Sequence, residues 1–436
     1  MSTVSSRIAD DFAAAEQYLP ASVLSTERRR SALQALQAQG LPTSREENWK
    51  YVNLRPLEKV RFAPLAARTG KAITVADLPP QLLGYARYTF VDGVFAPELS
   101  SAVDRPGVLI EPMRRTSQPR PAVGGLEARQ SGDLRFALLN DAFATDGASI
   151  RIAAEIDCPA CVELVFVAAT DSREAASYPR VDLAVASGAR VGLIERHVSI
   201  GNDANFVNCA VSISAARASF VQHYRIQQTG ARAQWYDTLS ADLAESARYQ
   251  LFSVHLGALT ARSTVNIQLN GERAEVDLYA VSVGDARQVH DTYARIEHIA
   301  PRTRTSQSFR GISSGRARVA FNGKVTVSAG AYGTDSRQSL RGLLAGTEAE
   351  IDVRPQLEIY TDDVRCSHGA TAGKLDDDML FYLLSRGLER ETAQRLLKWA
   401  FLEDVVAKIE VPELRRQIEQ SLAGQLKEAA ALQELL

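Results

Sequence analysis

The amino-acid sequence predicts a mostly β protein whose core is a stack of repeated strands, with helical segments at both ends. Between Ala148 and Tyr360, apolar and polar residues alternate in short runs that are separated by Gly, Ser, Asn and Asp. This pattern is typical of strands joined by turns. A weak internal repeat lies within the same region. Outside it, apolar residues recur at the three- and four-residue spacings of amphipathic helices.

The repeat consists of an alanine after a turn residue, then any residue, then an apolar residue. Its copies begin at Ala189, Ala218, Ala247, Ala274, Ala317 and Ala349. The intervals are 29, 29, 27, 43 and 32 residues. Near-constant intervals of about 20 to 50 residues indicate stacked structural units, so we predict a β-helix or solenoid. An antiparallel β-sandwich is the competing architecture. The 43-residue interval indicates an insertion or an extra half-turn.

The N-terminal part predicts helices and irregular connections. Two helices are expected between Ile8 and Gln39, and Gly40 suits the end of the second one. A polar run with Trp49 and segments of low periodicity follow. Residues 136–147 predict a further short helix that Gly147 stops.

Helical periodicity returns after Leu375. Asp376 can cap a helix that Gly387 ends, and two more helical segments follow, the second after Pro412. The predicted organisation therefore has three parts, namely an N-terminal helical and mixed region (1–147), a β core (148–374) and a C-terminal helical region (375–436).

Composition and charge exclude several classes of protein. The chain of 436 residues has 45% hydrophobic and 23% charged residues, which excludes disordered, collagen-like and coiled-coil compositions. A formal net charge of −2 argues against a general polyanion binder. The sequence has no apolar run of the roughly 18 residues that a membrane span needs and no signal-peptide pattern at its start. We therefore expect a cytoplasmic protein whose four cysteines are thiols.

Most cysteines and histidines fit structural roles. Cys158 and Cys161 have the spacing of a zinc or redox pair, but no second pair completes a site, so we interpret them as small buried residues. Cys209 has the pattern of a core thiol. Single histidines on strands are usually structural, and this interpretation applies to His197, His223 and His255.

A basic stretch between residues 295 and 324 is less easily assigned. Glu297 is the only acidic residue there, beside seven cations, and His290 and His298 are close by in sequence. The cations are Arg295, Arg302, Arg304, Arg310, Arg316, Arg318 and Lys324. The stretch is either a solvated face of the solenoid or a charged surface for a partner.

The densest group of reactive residues lies where the β core meets the C-terminal helices. Cys366 and His368 are two residues apart, so on a strand both side chains project from one face, roughly 6 to 7 Å apart. Thiolate and imidazole suit zinc, iron and iron–sulfur clusters, but two ligands do not close a site. A nucleophile–base pair is less favoured, because such neighbours seldom reach hydrogen-bond geometry. Asp362 and Asp363 point to opposite faces. A structural junction also fits these residues.

Several segments resemble one family. PQLEIYTDDVRCSHGATAG (355–373), followed by LDDDMLFYLLSRGL, resembles the C-terminal signature of the SufB/SufD family, scaffold components of the SUF iron–sulfur cluster assembly machinery. HDTYARIEHIAPRTRTSQSFRGI (290–312) resembles the β core of that family, and the likeness extends over about residues 135 to 410. SREENWKYVNL (44–54) resembles the SufD branch.

The resemblance implies a right-handed parallel β-helix core flanked by helical N- and C-terminal regions, in a scaffold that is not an enzyme. It implies pairing with SufB along the β-helices and a transient iron–sulfur cluster at the interface, with none held by the isolated chain. His368 becomes the stronger cluster ligand and Cys366 the weaker, and SufB would supply the missing ligands. The C-terminal helices would hold the ATPase SufC, with these docking candidates: Leu396, Leu397, Ala400, Phe401 and Val405.

Two other functions remain open at this point. One is a structural β-solenoid that binds partners through the basic stretch without contact to a cluster. The other is a carbohydrate-acting β-helix enzyme that uses Asp362 and Asp363, although such an enzyme would be expected to carry an export signal and more aromatic residues than the 7% found. Without SufB, an exposed strand edge predicts a homodimer.

Overall fold

In the computed structural model, the strands of the core form two long parallel sheets that face each other. The structure describes residues 3–65, 72–116, 133–169, 176–202 and 204–426. Successive strands of the core alternate between the sheets, so each coil of the chain adds one strand to each. The predicted β-solenoid is confirmed. The β-sandwich alternative is wrong, because neighbouring strands in the core are parallel.

The first sheet has ten strands. From the N-terminal to the C-terminal end of the stack they are β2 (Val94–Phe95), β1 (Ala86–Val91), β5 (Asp157–Ala168), β8 (Arg190–Ser199), β10 (Phe220–Gln228), β12 (Arg248–His255), β14 (Glu275–Gly284), β16 (Arg304–Ser313), β18 (Thr334–Leu344) and β20 (Val364–Gly373). Only the β1–β2 pair within this sheet is antiparallel among the described strands.

The second sheet lies opposite the first. In the same direction its strands are β3 (Val108–Pro112), β4 (Asp146–Ile152), β7 (Pro179–Val185), β9 (Phe206–Ala215), β11 (Gln234–Leu243), β13 (Thr260–Leu269), β15 (Val289–His298), β17 (Arg318–Val327) and β19 (Glu350–Ile359), and a short strand β6 (Ala176–Ser177) pairs with β9. Because β1, β3 and β4 belong to the two sheets, strands from before residue 148 also contribute to the stack.

The sequence repeat has a physical cause at the turn that precedes five strands of the first sheet. A residue with positive φ lies two positions before β8, β10, β12, β14 and β16, at Gly188, Ala218, Ser246, Arg273 and Arg302 respectively. The next residue is small or short and fully buried, as at Ala189, Ser219, Ala247, Ala274 and Thr303. A left-handed residue reverses the chain, and a small one lets adjacent coils approach closely.

The 43-residue interval of the repeat is an extra half-turn and not an insertion. Ala274 precedes a strand of the first sheet, whereas Ala317 and Ala349 precede β17 and β19 of the second sheet. The repeat therefore changes sheet at this point. The coils keep their length, since strands of the first sheet from β8 onward begin at regular intervals of about one coil.

Helices cover both outer faces of the solenoid. Three lie at the N-terminal end, α1 (Thr3–Ala15), α2 (Thr26–Gln39) and α3 (Arg135–Phe143), and the apolar side chains of this group pack on aromatic residues of the second sheet such as Phe206 and Tyr236. Ser25 caps α2, and Gly40 ends it as predicted. The predicted stop at Gly147 is wrong. Helix α3 ends at Phe143, and Gly147 lies in β4, where a Cβ atom would be 1.9 Å from the carbonyl oxygen of Arg180.

Three helices follow the solenoid, α4 (Asp377–Ser385), α5 (Arg390–Val406) and α6 (Pro412–Gln425). Asp376 caps α4 as predicted, because its carboxylate accepts from the backbone N–H groups of Asp378 and Met379. Helices α5 and α6 pack on the outward face of the first sheet through a buried apolar cluster. None of the helices in the described part of the chain has the length and apolarity needed to cross a membrane.

Candidate functional site

Cys366 and His368 lie on β20, the last strand of the first sheet. The register aligns Cys366 with Ser336 and His368 with Gln338 of β18. Ser336 and Gln338 are buried inside the solenoid. Since side chains alternate between the faces of a strand, Cys366 and His368 continue two inward-facing columns to the end of the stack.

The end of the stack is open. Both β19 and β20 pair with a strand on one side only among the described residues, with β17 and β18 respectively. His368 is exposed and Cys366 is half-buried, although their alignment partners one coil earlier are covered. Ile359 and Tyr360 are also exposed at this end, at 42% and 63%. The structure thus presents a thiol and an imidazole beside two free strand edges.

The Cys366 thiol has a partly apolar environment. It packs beside the small cluster of Val325, Val327 and Ala331. Partial burial raises the pKa of Cys366 above its ordinary value, and the negative charge of Asp335 adds to this rise, while a hydrogen bond with the backbone of Ser336 opposes it. Without a metal, the thiol form is therefore favoured at neutral pH.

The other predicted residues of this segment lie at the turn before β20. Asp362 and Asp363 are exposed, and the backbone carbonyl of Asp363 accepts a hydrogen bond from the N–H of Gly333. The adjacent acids precede the strand that carries Cys366.

The docking candidates on α5 differ in their exposure. Val405 is buried against the first sheet, so its side chain serves internal packing. Phe401 is half-buried, with the guanidinium of Arg310 6.0 Å from its ring centroid. Leu396 and Leu397 are half-buried, and Ala400 is exposed.

Sequence reasoning missed an apolar surface on the preceding helix. Met379, Phe381 and Tyr382 of α4 are 56%, 71% and 55% exposed. In a helix with one buried residue, Leu380, so many large apolar residues could have indicated an uncovered surface.

The basic stretch is not a free charged surface. Each of its seven cations pairs with a carboxylate: Arg295 with Glu297, Arg302 with Glu272, Arg304 with Glu275, Arg310 with Asp404, Arg316 with Glu348, Arg318 with Glu350, and Lys324 with Glu358. Five of these partners lie about one coil away in sequence, where parallel register places them alongside. Six of the seven compensating acids lie outside the stretch, which favours the solvated face over the charged partner surface.

The remaining candidates are buried. His290 and His298 point into the solenoid, where they lie within hydrogen-bonding distance of the carbonyl of Gly257 and of the hydroxyl of Thr303, respectively. Cys158 and Cys161 are buried in β5 and reduced, and Arg105 donates to Cys158 Sγ at 3.0 Å. These positions agree with the structural interpretation of both groups.

Comparison with known proteins identifies the family to which this architecture belongs. A family model described as "SUF system FeS cluster assembly, SufBD core domain" matches residues 166–401, and one for the "SufBD protein N-terminal region" matches residues 6–164. The chain belongs to the SufB/SufD family. Its fold is therefore that of a SufB/SufD protein, which takes part in iron–sulfur cluster assembly.

Relatives cover nearly the whole of this SufB/SufD protein. The iron–sulfur cluster assembly protein SufD of Escherichia coli K12 is 30% identical over 88% of this chain and 89% of its own length. An iron–sulfur cluster assembly SufBD family protein of Synechocystis is 28% identical over 91% and 90%. A chloroplastic protein of Arabidopsis thaliana, ABCI7, is 31% identical over 57% of this chain and 53% of its own.

Proposed function

We propose that this SufB/SufD protein is a non-catalytic, cytoplasmic scaffold subunit of the SUF assembly complex SufBCD. Its open solenoid end pairs with SufB, and its C-terminal helices hold the ATPase SufC. The observation that carries the proposal is the exposed position of His368 beside Cys366 on a strand with a free edge.

The chemistry of the two residues supports an interfacial site. A thiolate and an imidazole are ligands found on iron–sulfur clusters, but a cluster needs further ligands. A partner that adds strands to β19 and β20 brings its own residues to the same edge, because parallel sheets extend by backbone pairing. The cluster is cargo that is built there and released, and the isolated chain holds none.

The surface of α4 supports the docking of SufC. Exposed Met379, Phe381 and Tyr382 form an apolar patch that folding leaves uncovered, and such patches mark protein contacts. Leu396 and Leu397 on the neighbouring helix α5 are partly accessible and extend the docking surface. Val405 packs on the solenoid and so anchors α5 against the first sheet.

The cluster role is tested with His368→Ala in a complex co-expressed with SufB and SufC. Ser367→Ala is the matched control, because Ser367 is exposed on the same strand but points to the opposite face. We expect His368→Ala to lose iron–sulfur cluster on the purified complex while co-purification stays unchanged, and Ser367→Ala to keep both. Unchanged cluster content in His368→Ala, and in the double variant with Cys366→Ala, would contradict the cluster role.

The docking role is tested with Phe381→Ser. Leu83→Ser is the control, since Leu83 is 99% exposed and belongs to neither α4 nor α5. Co-purification of SufC should fall in Phe381→Ser and stay unchanged in Leu83→Ser, while SufB pairing persists in both. Equal SufC recovery from both variants would argue against α4 as the docking surface.

The second candidate is a structural β-solenoid without cluster contact. The two free strand edges support it as much as they support the cluster scaffold. In the absence of SufB, the same edges would pair two copies of this chain in a homodimer. The His368→Ala measurement separates the candidates, because the substitution leaves the cluster content of the complex unchanged if this chain only binds partners.

A further inference from the structure

A group of ionisable side chains lies inside the solenoid, where the ends of β8 and β10 meet the starts of β9 and β11. Arg225 pairs with two carboxylates, through Nη2 with Glu195 Oε1 at 2.7 Å and through Nη1 with Asp237 Oδ2 at 2.6 Å. Two further atoms lie near the same oxygen, Glu195 Oε1: His197 Nε2 at 2.5 Å and Cys209 Sγ at 3.8 Å. All five side chains are buried.

Around Arg225 and His197 the group brings together two carboxylates, Glu195 and Asp237, and the thiol of Cys209. Burial by itself would raise the pKa of Glu195, but the charge of Arg225 and the hydrogen bonds of His197 and His223 hold it well below its ordinary value. Burial, assisted by the charge of Glu195, holds the pKa of Cys209 well above its ordinary value, so this group is a neutral thiol. Two carboxylates therefore face one guanidinium inside the solenoid.

The donor atoms suit a metal ion. One ligand atom each of Glu195, His197 and Cys209 lies within 4.8 Å of the other two. A carboxylate, an imidazole and a thiolate form a borderline-soft set that Zn²⁺ and Fe²⁺ prefer. In the part of the chain that the structure describes, Nδ1 of buried His197 has no hydrogen-bond partner. We propose that Glu195, His197 and Cys209 hold one divalent cation of the Zn²⁺ or Fe²⁺ class inside the solenoid.

Binding balances both atoms and charge. The Cys209 S–H bond breaks, its proton leaves to solvent, and Sγ binds the cation. Before binding, His197 Nε2–H faces Glu195 Oε1 at 2.5 Å; on binding, the proton leaves Nε2, the ring keeps its one proton on Nδ1, and Nε2 binds the cation. The carboxylates of Glu195 and Asp237, the thiolate, the guanidinium of Arg225 and the cation then sum to zero charge. No oxidant or reductant is required.

Two surrounding features favour the site. His223 Nε2 lies 3.3 Å from Glu195 Oε2, and a hydrogen bond of 3.0 Å between its Nδ1 and the hydroxyl of Tyr249 fixes the ring, so a fourth ligand is within reach. A narrow crevice lined by Phe166, Thr229 and other residues reaches the side chain of His197. Outer-shell contacts of this kind orient metal ligands.

The inner site is independent of the proposed function. β8 and β20 are six strands apart in the first sheet, roughly 29 Å at the usual strand spacing. The exposed pair at the open end and the inner site can therefore be disabled one at a time.

Cobalt is the probe. The full-length chain is refolded from denaturant with Co²⁺ in the absence of other metals. We expect one equivalent of Co²⁺ per chain with a sulfur-to-cobalt charge-transfer band, which reports a thiolate ligand, and with the intense visible bands of a tetrahedral site. Cys209→Ala should remove the charge-transfer band and weaken binding by at least about tenfold.

Two control variants locate the thiolate. Cys366→Ala removes the half-buried thiol at the open end, and Cys158→Ala removes another buried thiol. Both should keep the band at full intensity. If Cys209→Ala does not fold, X-ray absorption of the zinc-loaded Cys366→Ala protein tests for the thiolate ligand instead. We expect one sulfur neighbour at about 2.3 Å from the zinc. Refolded wild type without bound metal, a band that survives in Cys209→Ala, a band lost in Cys366→Ala, or a zinc shell without sulfur would each overturn the proposal.

Discussion

His368 aligns directly with Gln338 of the preceding coil, yet Gln338 is buried and His368 is exposed. The difference does not come from the residues themselves, because both occupy the same inward-facing column of the first sheet. It arises because β18 has a strand on each side and β20 has a described strand on one side only. The open end therefore turns an interior position into an accessible one.

Cys366 is predicted to be the thiol that reacts first in the native protein. Cys158, Cys161 and Cys209 are buried, whereas Cys366 is half-buried at the open end. Because partial burial raises its pKa, little thiolate is present at pH 7, and the rise of the alkylation rate with pH should lie at higher pH than for a free cysteine. Mass spectrometry of protein pulsed with iodoacetamide measures this. Labelling of another cysteine before Cys366 would contradict the described burial.

Replacing Arg225 by Met should destabilise the solenoid strongly. The change leaves Glu195 and Asp237 buried beside each other without their shared cation, and loss of one member of a buried pair costs about 3 to 5 kcal/mol. Arg217→Ala is the control, because Arg217 is 72% exposed in its pair with Glu245 and such a pair contributes at most about 1 kcal/mol. Urea unfolding followed by circular dichroism measures the free energies of unfolding. Equal losses of unfolding free energy in the two variants would show that burial does not increase the contribution of the Arg225 ion pairs to stability.

Two glycines should respond in opposite ways to alanine. In Gly147→Ala, the new methyl group meets the backbone of Arg180 on the neighbouring strand, which must move, so we expect a loss of about 1 to 3 kcal/mol. In Gly424→Ala, no atom lies within 4 Å of the new methyl group, and alanine favours helix α6 by up to about 1 kcal/mol. Thermal unfolding of both variants beside wild type is the measurement. A midpoint for Gly147→Ala at or above that of wild type would be inconsistent with the tight β4–β7 contact.

Stability should fall as the solution is acidified from pH 7 to pH 5. Burial lowers the pKa of His290 and of His298 from 6.5 to about 4 each, with the hydrogen bond to Gly257 opposing the shift at His290. The unfolded chain therefore binds more protons below pH 6.5, so stability is complete above that pH and is lost progressively down to about pH 4. Each histidine accounts for up to about 2 kcal/mol between pH 7 and pH 5.

The variant His298→Gln checks this assignment. It should flatten the dependence of the unfolding free energy on pH by the share of one histidine, because glutamine does not titrate in this range. Parallel curves for the variant and wild type between pH 7 and pH 5 would rule out His298 as a source of the dependence.

Local patterns in the sequence were sufficient for the elements and for part of the site. The repeat was visible because several coils have a left-handed turn residue followed by a small buried one, as at Ser246 and Ala247. The cap at Asp376 was equally local. Cys366 and His368 could be assigned to one face of a strand, because two-residue spacing alone fixes that geometry.

Contacts between coils were decided only by the tertiary structure. The cations of the basic stretch find partners such as Glu272 and Glu348 about one coil away, and a count restricted to neighbouring residues cannot include them. Cys209 has the sequence pattern of an ordinary core thiol, but the turn between β8 and β9 brings it to Glu195. In a parallel stack, each side chain meets residues about 28 to 30 positions away, and which of them meet depends on register. The sequence by itself determined the strands and their period, while the stacking of one coil on the next determined which charges are paired, which thiol is exposed and where the solenoid stays open.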